Sequence, residues 1–209
     1  MDDPRRQADE RFTQASLPDC HHVCLIYDSE DQRRQIVSEF LAAGIREGAL
    51  VRYFADTTPP PALRAWLSEA GVELSKAEED GAFGIINAES AYCPSGQFVP
   101  REVIANMLSR FDMARQAGYP GSRACGEMSW TLRDIPGADR FLEYEVRLNT
   151  ITDTFPYMGM CQYDARLFDG ATLFKVLQVH PFMIAQGQLV RNPFYIKPEE
   201  FLAGLGVQA

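Results

Sequence analysis

The feature that most constrains this chain is its alternation of short, continuous apolar runs with longer stretches whose apolar residues recur at helical spacing. His22-Val-Cys-Leu-Ile-Tyr27 is such a run, bounded by polar Asp28-Ser-Glu-Asp31. Its length and flanks suit a strand buried on both faces. Ile36, Val37, Phe40, Leu41 and Ile45 then mark one side of a helix, which Ser29 or Asp31 can cap and Gly48 can end. Leu50-Val-Arg-Tyr-Phe-Ala55 is a second strand. A short helix with Leu63, Trp66 and Leu67 follows Pro59 to Pro61. Phe83-Gly-Ile-Ile86 is a third strand, and Val103, Ile104, Met107, Leu108, Phe111 and Ala114 form a long stripe ended by Gly118. The pattern repeats through a strand at 123–128, a helix carrying Phe141, Tyr144, Glu145, Leu148 and Ile151, and a strand at 157–161 running into Gln162-Tyr-Asp164. A helix with Leu173, Phe174, Val176 and Leu177 comes last, before a hairpin of 182–184 and 188–190 around Gly187. Strands alternating with helices predict an α/β fold with a mainly parallel sheet covered on both faces.

In such sheets ligands bind beyond the carboxyl ends of the strands. The polar residues there are Asp28, Ser29 and Glu30, then Asp56, then Glu127, Ser129 and Trp130, and finally Gln162, Tyr163 and Asp164. Net charge narrows what they can bind. Twenty-nine acids against 20 Lys and Arg give −9, which opposes nucleic acid and anionic lipid alike. Residues 1–19 form a polar tail with no apolar core of a secretion signal, and 20–209 a single domain; no run is long and apolar enough to span a membrane. The five cysteines (20, 24, 93, 125 and 161) contain no Cys-x-x-Cys pair. They read as reduced, buried thiols of a cytoplasmic protein.

Several spaced motifs carry a resemblance: His22-x-Cys24-x-x-Tyr27, Met128-Ser-Trp130, Tyr144-Glu145, Cys161-Gln-Tyr-Asp164, His180-Pro181 and Asn192-Pro-Phe-Tyr195. Together they resemble the MEDS domain, the DcmR-type sensory domain of methanogens and methylotrophs, from about Cys20 to Phe201. The resemblance implies a RecA-like three-layer sandwich similar to KaiC-type ATPases, and a non-catalytic sensor of small molecules such as hydrocarbon derivatives. It implies output to a separate protein, a kinase or a transcription regulator. A phosphate loop needs Gly-x-x-x-x-Gly-Lys-Ser/Thr after the first strand. Here that segment is Tyr27-Asp-Ser-Glu-Asp-Gln-Arg-Arg34, with carboxylates in place of Gly and Lys. Arg33 and Arg34 fall inside the helix. Glu127 and Asp56 keep the places of the metal-organising acids, so the layout is that of a nucleotide site that has lost its phosphate cradle. A residual ATPase-like enzyme and a ligand-free interaction module are the alternative readings.

The expected ligand site is Tyr27, Asp28, Glu127, Trp130, Gln162, Tyr163 and His180. In a RecA-like order the first strand lies between the fourth and fifth, so their carboxyl ends converge. Tyr27, Trp130 and Tyr163 would supply apolar wall and Asp28, Glu127 and Gln162 would orient a polar group. His22 and Cys24 share one strand face and, with Cys161 and His180, form the set that could take a metal. Their spacing is not compact, so neither a metal nor another cofactor is expected. Ser129 beside Glu127, with His180, lacks the Gly-x-Ser-x-Gly setting of a hydrolase. Glu145 on an apolar stripe is expected to pair with Arg147 or Arg123, or else to face a pocket.

Overall fold

A computed structural model describes residues 21–152 and 155–207; the expected tail at 1–19 and Cys20 lie outside them. Seven strands form one sheet: β1 (His22–Tyr27), β2 (Leu50–Ala55), β3 (Phe83–Asn87), β4 (Ser122–Glu127), β5 (Tyr157–Asp164), β6 (Phe182–Ala185) and β7 (Gln188–Arg191). Their order is β3-β2-β4-β5-β1-β6-β7. All pairs are parallel except β6–β7. One face is covered by α1 (Glu30–Arg46), α2 (Pro60–Glu69) and α3 (Leu74–Glu79). The other is covered by α4 (Ala88–Tyr92), α5 (Pro100–Gln116), α6 (Phe141–Leu148), α7 (Gly170–Val179) and α8 (Pro198–Gly204). This is the expected RecA-like sandwich with its C-terminal hairpin.

Local chemistry sets the boundaries. The Ser29 hydroxyl accepts from Gln32 N at the start of α1, and Glu30 and Asp31 sit in the first turn, where the helix dipole favours acids. Asp169 caps α7 in the same way, through Thr172 N at 2.9 Å. The hairpin turns on Gln186 and Gly187, whose φ values of 50° and 73° match the twist of the strands they join.

The strand order corrects one expectation. β1 lies between β5 and β6, not between β4 and β5. β5 takes the centre because all eight of its residues are buried, which only a strand covered on both faces and paired on both edges tolerates. β6 then closes the outer edge of β1 through Val23 and Cys24. The sheet divides two separate apolar cores. Tyr27, Phe40, Tyr53 and Leu63 belong to the α1 side, and Phe54, Trp130, Tyr144 and Tyr163 to the α6 side.

Candidate functional site

Beyond the carboxyl ends of β1, β4 and β5, on the α1 side, the crevice is filled by an arginine. Arg33 lies one turn before Ile36 and Val37 on the buried stripe of α1, so its side chain points at the sheet. Its Nε donates to Gln162 Oε1 at 2.8 Å and its Nη2 to Thr58 Oγ1 at 2.7 Å and Tyr53 Oη at 3.1 Å. Nη2 also lies 3.2 Å from Glu127 Oε1. Glu127 accepts in addition from Tyr53 Oη (2.8 Å), Thr57 N (2.7 Å) and Thr57 Oγ1 (2.6 Å). Burial alone would raise the Glu127 carboxyl, but the Arg33 charge and the threonine donors outweigh it and hold it below the usual range. The guanidinium lies against the rings of Tyr27 and Trp66. The Glu127 carboxylate at the end of β4 is thus neutralised from within the chain.

A second polar cluster lies in the other core. Arg140, just before α6, and Arg147 on it stand three and four residues from Glu143 and pair with it. Arg123 pairs with Glu47. Glu145 instead faces the sheet, where its near polar neighbours among the described residues are Tyr163, His22, Cys161 and His180. Its Oε1 accepts from Tyr163 Oη at 2.6 Å. Its Oε2 lies 3.0 Å from His22 Nε2, 3.4 Å from Cys161 Sγ and 3.6 Å from His180 Nε2. Cys161 Sγ is 3.5 Å from His22 Nε2. His22, Glu145 and His180 are wholly buried and Cys161 nearly so. Burial pushes both imidazoles down to about 3 and raises the Glu145 carboxyl and the Cys161 thiol. The outer ring nitrogens are bonded: His22 Nδ1 to Asn149 Oδ1 at 2.9 Å, and His180 Nδ1 to Val176 O at 2.8 Å. Asn149 Nδ2 donates to Val179 O at 2.7 Å, which fixes its Oδ1 as the acceptor.

Between α5 and the β2–β4 part of the sheet is a cavity of about 290 Å³. Phe54, Ile86, Met107, Phe111 and Tyr157 form its apolar wall, and Arg52, Arg110 and Ser122 are its polar groups. A void of about 20 Å³ shares Phe54, Met107, Arg110, Ala124 and Tyr157 with it and reaches Tyr144 and Cys161.

A family model described as the methanogen/methylotroph, DcmR sensory domain, MEDS, matches residues 21–181. The chain belongs to the MEDS family. The transcriptional repressor DcmR of Methylorubrum extorquens (strain DSM 6343 / CIP 106787 / DM4) is 26% identical to this MEDS chain over 162 residues, 76% of the chain but only 57% of the repressor. Two solved structures share the fold at low identity. Flagellar accessory protein FlaH from Methanocaldococcus jannaschii has a TM-score of 0.59 at 10% identity, covering 90% of this chain and 82% of its own. An uncharacterised protein from Pyrococcus horikoshii, in complex with an unknown peptide, has a TM-score of 0.56 at 14% identity, covering 81% of each chain. No helix among the described residues of the MEDS chain is long and apolar enough to cross a membrane.

The MEDS structure divides the seven expected ligand residues between the two sides of the sheet. Tyr27, Glu127 and Gln162 meet around Arg33 on the α1 side. Tyr163 and His180 face Glu145 on the other. Trp130 is fully buried there, stacked on Tyr92 with ring centroids 5.0 Å apart. Asp28 is exposed beyond β1. They do not form one rim, because consecutive β5 residues point to opposite faces. Ser129 donates to Asp56 at 2.6 Å, and Glu127 and His180 are separated by the sheet, so these three residues do not assemble as a triad. Of the residues weighed for a metal, His22, Cys161 and His180 converge, and Glu145 takes the place given to Cys24. Sequence spacing argued against that convergence because its members come from β1, α6, β5 and the end of α7, which only the fold brings together.

Proposed function

We propose that this MEDS domain senses a small, mainly apolar organic molecule of the hydrocarbon-derivative class in the cavity under α5. Its output would pass to a separate regulatory protein, such as a kinase or a transcription regulator. The observation that carries the reading is the cavity itself. About 290 Å³ of space with an aromatic and methionine wall and a few polar groups has the character of a small-ligand site. The Arg33–Glu127 network fills the strand-end crevice that a nucleotide would need, which favours sensing over the ATPase-like alternative. Arg110, whose guanidinium lies over Phe54, supplies a positive edge suited to a halogen, hydroxyl or carboxyl group. The relative of established role, DcmR, is a transcriptional repressor, which supports a regulatory output. The net charge of −9 favours contact with a protein over direct contact with DNA. Occupancy signals only if the ligand binds one of two conformations better.

The test is a thermal-shift series of short haloalkanes and alcohols on the full chain. A ligand at 100 times its dissociation constant adds about 2.7 kcal/mol, or roughly 5–11 °C for a chain of this length. Ala124→Leu, which fills the cavity, should abolish the shift. A compound that stabilises the parent and Ala124→Leu equally would place its site elsewhere, and a series with no effect on the parent would remove the reading.

A further inference from the structure

The cluster in the α6 core carries a hydrogen-bonding problem that its own protons do not solve. Both Nδ1 atoms face oxygen acceptors, so each Nδ1 carries the ring proton and each Nε2 presents a lone pair to the centre. Glu145 Oε2 points at the same centre. A protonated Glu145 can serve one imidazole, and the Cys161 thiol is a weak donor. His180 Nε2 is left buried with no hydrogen-bond partner, an arrangement that costs stability in an apolar core.

We propose that His22 Nε2, His180 Nε2, Cys161 Sγ and Glu145 Oε2 bind a divalent ion of the zinc class. Three features of this chain support the assignment. The first is distance. Tetrahedral zinc bonds of ordinary length separate nitrogen from oxygen by about 3.4 Å, and sulfur from either by about 3.6 Å. The corresponding separations here are 3.0 and 3.6 Å for N···O, 3.5 Å for N···S and 3.4 Å for S···O. All four ligand atoms lie within 4.8 Å of one another. The second is charge. A dication with one thiolate, one carboxylate and two neutral imidazoles sums to zero, the total that a fully buried site accepts. Binding releases the protons of Cys161 and Glu145 and leaves no inward lone pair unmatched. The third is the outer layer. Asn149 Oδ1, Val176 O and the Tyr163 hydroxyl bond the far sides of His22, His180 and Glu145, fixing the tautomers and orientations that ligands require. The assignment is independent of what occupies the cavity under α5.

The test uses the full chain, free of any histidine tag, expressed with added zinc and desalted. Elemental analysis should give about one zinc per chain, and Cys161→Ser and His180→Ala should each lower it below about a tenth. The zinc-free chain titrated with Co²⁺ should develop a thiolate-to-cobalt charge-transfer band with tetrahedral visible bands. That band should persist when each of the other cysteines is replaced singly by serine. The cobalt spectrum of the parent carries the test even if a ligand variant fails to fold. A parent chain with less than about a tenth of a zinc and no charge-transfer band overturns the assignment. So does a band lost with Cys20→Ser, Cys24→Ser, Cys93→Ser or Cys125→Ser, or metal retained by folded Cys161→Ser.

Discussion

Replacing Arg33 by Met keeps the side chain's length and removes its charge. The substitution deletes hydrogen bonds to Gln162, Thr58, Tyr53 and Glu30 and the ion pair with Glu127. Removing one member of a buried ion pair costs about 3–5 kcal/mol, because the other charge stays buried. Glu127 retains Tyr53, Thr57 and Thr58 as donors, so the lower end applies. The expected loss is about 3 kcal/mol, a fall in Tm of roughly 6–12 °C. Urea unfolding followed by circular dichroism measures it, with an unchanged slope showing that the end states are the same. Arg33→Met combined with Glu127→Gln should be more stable than the sum of the single effects by at least about 1.5 kcal/mol. The pH dependence has a definite sign. Glu127 is held below its unfolded value, so its contribution is complete above about pH 4.3 and is lost as pH falls through the folded value. The gap between parent and Arg33→Met should therefore narrow in acid, where protonation relieves the abandoned carboxylate. A loss under about 1 kcal/mol at neutral pH, or a cycle coupling near zero, would refute the view that this pair seals the crevice.

Magnesium with ATP or GTP should give no measurable calorimetric heat, because Arg33 is committed to Glu127 and Glu30 and Asp31 occupy the place of a phosphate cradle. Micromolar binding that disappears in Glu127→Gln would show the crevice to be open. Gly137 has φ of 82° and a Cβ there would lie 2.3 Å from Phe98 O, whereas Gly118 has the same φ with open space around it. Gly118→Ala should cost about 1 kcal/mol and Gly137→Ala at least about twice that in urea unfolding; equal costs would mean that the backbone at Phe98 yields freely.

The periodicity carried the architecture. Each strand and each long helix lies where runs of apolar residues place it, and the hairpin turns at Gly187. The departures of the structure from the sequence pattern have separate physical causes. Arg33 was legible: it stands three and four residues before Ile36 and Val37, which puts it on the buried stripe, but a search for a phosphate-binding Lys treats it as a displaced residue. Glu145 was legible in part. Arg147 is two residues away, on the opposite side of a helix, and is four from Glu143, its actual partner. The division of Gln162 from Tyr163 follows from strand alternation alone. His22, Cys161 and His180 could be grouped from sequence, but the entry of Glu145 in place of Cys24 could not, since it depends on α6 packing over β1 and β5.

The central position of β5 has a mechanical consequence. Its odd-facing residues Cys161 and Tyr163 belong to one chamber and Gln162 to the other. A slip of one residue would send a thiol and a phenol into the arginine network and an amide toward two imidazoles, breaking both sites at once. The strand works as a common spindle, and its frame is locked from both sides. Single-residue insertion or deletion is therefore forbidden along it, while the β6–β7 hairpin at the sheet's rim can change length without disturbing either chamber.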